Sequence, residues 1–218
     1  MAEQAADLIS SRRNPLIRRL RMLSSPSGRQ QDGHLLLEGT HQLQELMALK
    51  DQLPEPVQVF ATTDWLDAHT AFLQRLSGFI RVQPMSDVAL KAALSTVNPD
   101  GVACLLPLER LPTPGSTPSF VLALDRVQDP GNLGTLLRTA LGADVEQVWL
   151  AAGADPLAPK VLRSAVGAVL RVPFRRFGPT HDVGVEQLAL QLRQARKRGL
   201  QVVGTLEPDA AAGCSVIP

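Results

Sequence analysis

Residues 120–141 read FVLALDRVQDPGNLGTLLRTAL, a stretch typical of a strand, a tight turn and a helix in immediate succession. The run FVLAL is apolar throughout, as expected for a strand covered on both faces in a parallel sheet. The turn at Pro130–Gly131 leads into a predicted helix over Leu133–Leu141, with Asn132 as its N-terminal cap. Ligands bind at the carboxyl edge of such sheets, so this turn is the first candidate site.

Strands and helices alternate along the rest of the chain, which predicts an α/β fold with a mainly parallel sheet in each half. The predicted strands lie at 34–38, 57–61, 79–82, 102–106, 148–150, 169–173 and 200–204. Residues 107–118, PLERLPTPGSTP, contain four prolines and predict a linker. We therefore expect two domains, residues 1–106 and 119–218.

Composition places the chain among soluble globular proteins. Its 218 residues are 44% hydrophobic and 20% charged, which excludes an intrinsically disordered chain. No apolar run approaches the ~18 residues of a membrane span, and residues 1–13 lack the apolar core of a signal peptide. Cys104 and Cys214 are too few for a disulfide framework or a zinc site. These features predict a cytoplasmic protein without a metal or a membrane partner.

Charge is segregated along the chain although the net charge is only +1. Residues 8–31 hold six arginines and no acid, residues 32–100 hold nine acids against four bases, and residues 156–181 hold five bases and no acid. Solvated helix faces would explain such runs, and so would contact with phosphates of a nucleic acid. The chain has no Tyr and only 4% aromatic residues, so base stacking is not expected to carry such binding.

Two segments in the second half carry a family resemblance. DPGNLGTLLRTALGAD at 129–144 resembles the first signature of the SpoU (TrmH-like) RNA ribose methyltransferases of the SPOUT superfamily, and KVLRSAVGA at 160–168 resembles the second. In the first half, NPLIRRLRML at 14–23 and HLLLEGTHQLQEL at 34–46 resemble the substrate-binding domain of many members. The resemblance spans residues 10 to 206.

The resemblance implies transfer of a methyl group from S-adenosylmethionine to a ribose 2′-hydroxyl of rRNA or tRNA. It implies an N-terminal L30-like domain that binds structured RNA, and a parallel-sheet domain with a trefoil knot, a rare topology. It also implies a homodimer when the C-terminal segment is present.

The same resemblance assigns roles to particular positions. Asn132 and Arg138 correspond to catalytic residues. RNA contacts are assigned to Arg12, Arg13, Arg18, Arg19, Arg21, Arg163 and Ser164. The strand end at Gly204, Thr205 and Leu206 is assigned to the cofactor.

The sequence departs from the family after Leu206. The third signature, which contributes to the knot, the cofactor pocket and the dimer interface, is not found in residues 207–218. Two hypotheses therefore remain open: a methyltransferase with an incomplete C-terminal domain, or a relative that binds RNA without catalysis. A nicotinamide-dependent enzyme is disfavoured because no G-x-G-x-x-G motif follows the first strand of either half.

Overall fold

The computed structural model describes residues 7–53, 55–178, 181–205 and 215–216. The described strands form a four-stranded sheet, a three-stranded sheet and a two-stranded ribbon, in chain order. The two larger sheets lie on either side of the proline-rich segment, whose residues 111–119 contain no helix or strand.

The first half is a mixed sheet with helices around it. Its elements are α1 (Pro15–Met22), α2 (Pro26–Asp32), β1 (His34–Glu38), α3 (Thr40–Met47), β2 (Val57–Thr62), α4 (Thr63–Ala68), α5 (Thr70–Arg75), β3 (Ile80–Met85), α6 (Asp87–Ala93) and β4 (Val102–Pro107). Short 3₁₀ turns lie at Lys50–Gln52 and Leu108–Arg110.

The expectation of a mainly parallel sheet is wrong for this half. The strand order is β1-β4-β2-β3, and β4 runs antiparallel to both of its neighbours, leaving β2–β3 as the parallel pair. Alternation of strands and helices does not fix strand direction. After α6 the chain turns at Gly101, which has a φ of 99°, and β4 lies between β1 and β2.

The second half is the parallel α/β layer that the sequence predicts. It comprises β5 (Val121–Asp125), α7 (Pro130–Gly142), β6 (Gln147–Ala151), α8 (Pro159–Ala165), a 3₁₀ turn (Ala168–Leu170), β7 (Phe174–Phe177) and α9 (His181–Lys197). All pairs in the order β5-β6-β7 are parallel. Val148 and Leu150 of β6 belong to the core shared with α7 and α8, whereas Trp149 and Ala151 pack with α9.

Two predicted strands of this half are corrected. Residues 169–173 are not a strand, because Val166 and Gly167 adopt left-handed φ values of 50° and 77° and lead into the 3₁₀ turn before β7. The predicted strand at 200–204 is reduced to β8 (Val203–Gly204). It pairs antiparallel with β9 (Ser215–Val216) rather than joining the three-stranded sheet.

Helices α7 and α8 pack against each other without room for a side chain at Gly134. A Cβ atom at this position would lie 2.7 Å from the Cβ of Ser164 and 2.8 Å from the backbone nitrogen of Ala165. Both neighbours belong to α8, so the contact fixes the separation of the two helices. The packing of α7 against α8 thus requires glycine at position 134.

We expect Gly134→Ala to lower the free energy of unfolding by about 1–3 kcal/mol, because overpacking forces the two helices apart. Gly142→Ala in the same helix is the control, since nothing lies within 4 Å of its Cβ position and alanine favours the helix. Urea unfolding followed by circular dichroism measures both. Equal midpoints for the two variants would contradict this account of the contact.

Candidate active site

The first turn of α7 lies directly after the carboxyl end of β5. Asp129, and not Asn132, is the N-terminal cap: its side chain accepts a hydrogen bond from the Asn132 backbone N–H at 2.8 Å. This bond lowers the pKa of Asp129, and Lys160 Nζ, 3.7 Å away, acts in the same direction. The cap lies at Asp129 because Pro130 starts the helix three residues earlier than the apolar spacing predicts.

The cap leaves the side chain of Asn132 free for other contacts. Asn132 and Arg138 are both exposed on α7, whereas Leu133, Gly134 and Leu137 between them are buried. Neither the Asn132 amide nor the Arg138 guanidinium makes a hydrogen bond or ion pair with any residue in the described ranges. The open face of α7 therefore presents an amide and an unpaired cation.

The basic residues of the 156–181 stretch differ from Arg138 because each has a partner. Arg163 pairs with Glu38, Arg171 with Glu45, Arg176 with Asp155 and Lys160 with Asp129, and Arg175 lies over the ring of Phe177. The acid-free run is thus neutralised mainly by acids distant in sequence. Among the described residues 121–177, Arg138 is the basic residue that has no acidic or aromatic partner.

Arg163 and Ser164 have internal contacts in this structure. Arg163 Nη1 lies 3.4 Å from Glu38 Oε2 and 3.0 Å from Thr96 Oγ1, although its side chain remains 40% exposed. The Ser164 hydroxyl lies 3.1 Å from the carbonyl oxygen of Pro130 in α7 and within reach of two carbonyls of its own helix. Their predicted RNA contacts stay predictions.

The arginines of the N-terminal segment divide into free and engaged groups. Arg12, Arg13, Arg18 and Arg21 are exposed. Arg19 forms a two-bond pair with Asp32, at 2.7 and 3.0 Å, and this pair lowers the pKa of Asp32. Arg29 is 3% exposed and pairs with Asp155 in the second half, so it cannot contact RNA without rearrangement.

The predicted cofactor residues lie at the ribbon. Gly204 is in β8, Thr205 follows it and is exposed, and Leu206 lies outside the described residues. The structure thus places Asn132 and Arg138 on α7, six residues apart, and the consecutive Arg163 and Ser164 on α8. It places the N-terminal arginines on and before α1.

Other chemistries find no support in the described ranges. No group of three His, Cys, Asp or Glu side chains there could hold a metal ion, and no helix there is long and apolar enough to cross a membrane. Burial raises the pKa of the Cys104 thiol to about 12, so this cysteine is not a nucleophile at neutral pH.

Glu38 is a residue of interest that the sequence did not single out. It ends the apolar strand HLLLE, and its side chain is 5% exposed. The sequence signal for such a residue is a charged side chain at the end of a buried strand, because a buried carboxylate requires hydrogen-bond partners. Those partners are at residues 95, 96 and 163, and nothing in the local sequence identifies them.

Comparison with known proteins agrees with this geometry. The family model of the SpoU rRNA Methylase family matches residues 119–212. A tRNA/rRNA methyltransferase of Synechocystis sp., itself described as uncharacterized, is 37% identical over 91% of this chain and 69% of its own length. The 23S rRNA (guanosine(2553)-2′-O)-methyltransferase RlmP of Bacillus subtilis is 32% identical over 93% of this chain and 75% of its own length.

A solved structure shares the fold. The AdoMet-bound rRNA methyltransferase from Sinorhizobium meliloti aligns with a TM-score of 0.63 at 22% identity, covering 88% of this chain and 70% of that one. The two proteins therefore share an α/β fold. With relatives matched along most of their length, the chain belongs to the SpoU rRNA methylase family, and the resemblance of the two signatures is confirmed.

The Arg29–Asp155 pair gives a prediction about how the halves are held together. Asp155→Asn would leave the buried guanidinium uncompensated, so we expect a loss of about 3 kcal/mol in the free energy of unfolding. Asp125→Asn is the control, because its pair with Arg126 is exposed and such pairs contribute little. Urea titration measures the free energy of unfolding of both variants. An unchanged free energy of unfolding in Asp155→Asn would contradict the structural role of Arg29.

Proposed function

We propose that the protein is an S-adenosylmethionine-dependent methyltransferase that modifies a ribose 2′-hydroxyl of rRNA or tRNA. The observation that carries the proposal is the exposed, unpaired Arg138, which follows the exposed Asn132 on α7, within a family whose member RlmP is named for 2′-O-methylation of 23S rRNA. The AdoMet-bound neighbour supports the choice of cofactor.

The proposed role of Arg138 is electrostatic. A ribose 2′-hydroxyl is a very weak acid, so its oxygen must be oriented and its developing negative charge stabilised as it attacks. A guanidinium has a pKa above ~12 and cannot serve as a general base at neutral pH. Arg138 therefore clamps the ribose and its adjacent phosphate by hydrogen bonds and stabilises alkoxide character. The Asn132 amide, free because Asp129 caps the helix, orients the ribose or Arg138.

The cofactor supplies an electrophilic methyl group on a sulfonium. Among the described residues, β8 pairs only with β9, so the other edge of β8 carries main-chain groups without a strand partner. Backbone N–H and C=O groups at Gly204 and Thr205 fit the hydrogen-bonding edge of an adenine, and Gly204 has no side chain to obstruct it. We assign Gly204, Thr205 and Leu206 to this contact, as the family resemblance implies.

The finer architecture also belongs to the proposal. Residues 1–106 form an L30-like RNA-binding domain, residues 107–118 a linker, and residues 119–218 a domain of the trefoil-knot type. The protein acts in the cytoplasm as a homodimer on structured RNA. The exposed arginines on and before α1, which need no cofactor to bind phosphates, favour the second candidate, an RNA-binding relative without turnover.

Replacing Arg138 separates the two candidates. We expect Arg138→Ala to lower the rate of methyl transfer to deproteinised rRNA by about 10²-fold or more, because it removes stabilisation of the developing charge. RNA affinity should fall by less than about fivefold, since the clamp is one of several RNA contacts and the stabilisation of charge acts in the transition state. The control is Arg196→Ala, an exposed arginine on α9. Transfer of labelled methyl groups and filter binding make the two measurements.

An unchanged transfer rate in Arg138→Ala would exclude the proposed catalytic role. A wild-type protein that binds RNA but transfers no methyl group would identify the non-catalytic candidate.

The exposed arginines of α1 give a second test. We expect Arg18→Gln/Arg21→Gln to weaken RNA binding and to reduce the slope of log K against log salt by about 1.5, because two phosphate contacts are lost. Arg19→Gln is the control, since Arg19 is already paired with Asp32 and should contribute less. Binding is measured at salt concentrations from about 50 to about 300 mM, a range that includes physiological ionic strength. A salt slope unchanged in the double variant would remove this surface from the RNA site.

A further inference from the structure

Glu38 is held by an unusually complete set of donors. Oε1 accepts hydrogen bonds from the Ser95 backbone N–H at 3.0 Å and the Ser95 hydroxyl at 2.8 Å. Oε2 accepts from the Thr96 backbone N–H at 3.0 Å and the Thr96 hydroxyl at 2.6 Å. Arg163 Nη1 approaches the same Oε2 at 3.4 Å. A buried carboxylate with five donors has a fixed position, because each bond is charge-assisted.

The Arg163 contact crosses from the first half of the chain to the second. The guanidinium also reaches the hydroxyls of Thr96 at 3.0 Å and Ser95 at 3.3 Å. One residue earlier, the carbonyl oxygen of Leu162 accepts a buried hydrogen bond from Gln42 Nε2 at 2.8 Å. Two consecutive residues of α8 are therefore attached to the first half.

The next residue of α8 contacts the candidate active-site helix. The Ser164 hydroxyl lies 3.1 Å from the Pro130 carbonyl oxygen, and the Ser164 side chain fills the space above Gly134. Pro130 is the first residue of α7, the helix that carries Asn132. A continuous path of packed and hydrogen-bonded groups thus joins the Glu38 carboxylate to the first turn of α7.

We propose that Glu38 is a positioning residue for methyl transfer, acting through Arg163 and α8 on the orientation of α7. This rests on the proposed function: RNA bound by the first half presents its ribose to a side chain of the second half. The two halves must therefore keep one relative placement, and an error of about 1 Å at a reacting group costs about 10²-fold in rate. Glu38 fixes the placement of the second half relative to the first through its contact with Arg163 of α8.

The test compares Glu38→Gln with Glu45→Gln. Glu45 is a matched control because it also pairs across the two halves, with Arg171 at 2.6 Å, but its partner lies beyond α8. We expect Glu38→Gln to lower kcat about tenfold while KM for RNA and for S-adenosylmethionine changes by less than about twofold. Glu45→Gln should lose less thermal stability, because Glu45 is 26% exposed and Glu38 only 5%, and it should keep its kcat. Loss of kcat in equal measure in both variants would overturn the proposal.

Amide hydrogen exchange supplies a readout that does not require turnover. We expect faster exchange over residues 130–142 in Glu38→Gln and unchanged exchange there in Glu45→Gln, since loosening of α8 should reach α7. Arg163→Met added to Glu38→Gln should produce no further increase, because both changes break the same path. If wild-type protein transfers no methyl group, the proposed function fails, and this exchange experiment alone decides the coupling. Unchanged α7 exchange in Glu38→Gln would then overturn it.

Discussion

Helix α8 packs against two surfaces at once, and the candidate active site depends on both contacts. On one side Ser164 fills the space that the absence of a side chain at Gly134 leaves in α7. On the other side Gln42 and Glu38 of the first half hold the Leu162 carbonyl and the Arg163 guanidinium. Closely packed interiors deform little. The contact with α8 therefore fixes the position of the first turn of α7.

Long-range ion pairs account for much of the charge segregation along the chain. Acids of the first half neutralise Arg163 and Arg171 of the second, and Asp155 of the second half neutralises the buried Arg29 of the first. Exposed cations without an ion pair therefore indicate an RNA-binding surface better than the basic runs of the sequence do. Among the sequence-predicted site residues these are Arg12, Arg13, Arg18, Arg21 and Arg138.

The sequence predicts well those features that are settled within one strand and one helix. The β5–α7 unit follows from the local apolar spacing and turn residues, whereas Arg138 is singled out by the family resemblance. The direction of β4 does not, because its pairing partners are distant in the chain. The sequence points to Asn132 as the cap and the structure to Asp129, because both residue types are good caps and only the start of the helix at Pro130 distinguishes them. The role of Glu38 depends on residues up to 125 positions away.

The most direct test of the account is the chemical position of the transferred methyl group. Alkaline hydrolysis of RNA requires a free 2′-hydroxyl to attack the adjacent phosphate, so a 2′-O-methylated ribose leaves an alkali-resistant dinucleotide. RNA labelled by this protein from methyl-labelled S-adenosylmethionine would be hydrolysed and its products separated by size. The account predicts label in dinucleotides. Label in mononucleotides would show methylation of a base and would contradict the assignment of Arg138 to a ribose oxygen.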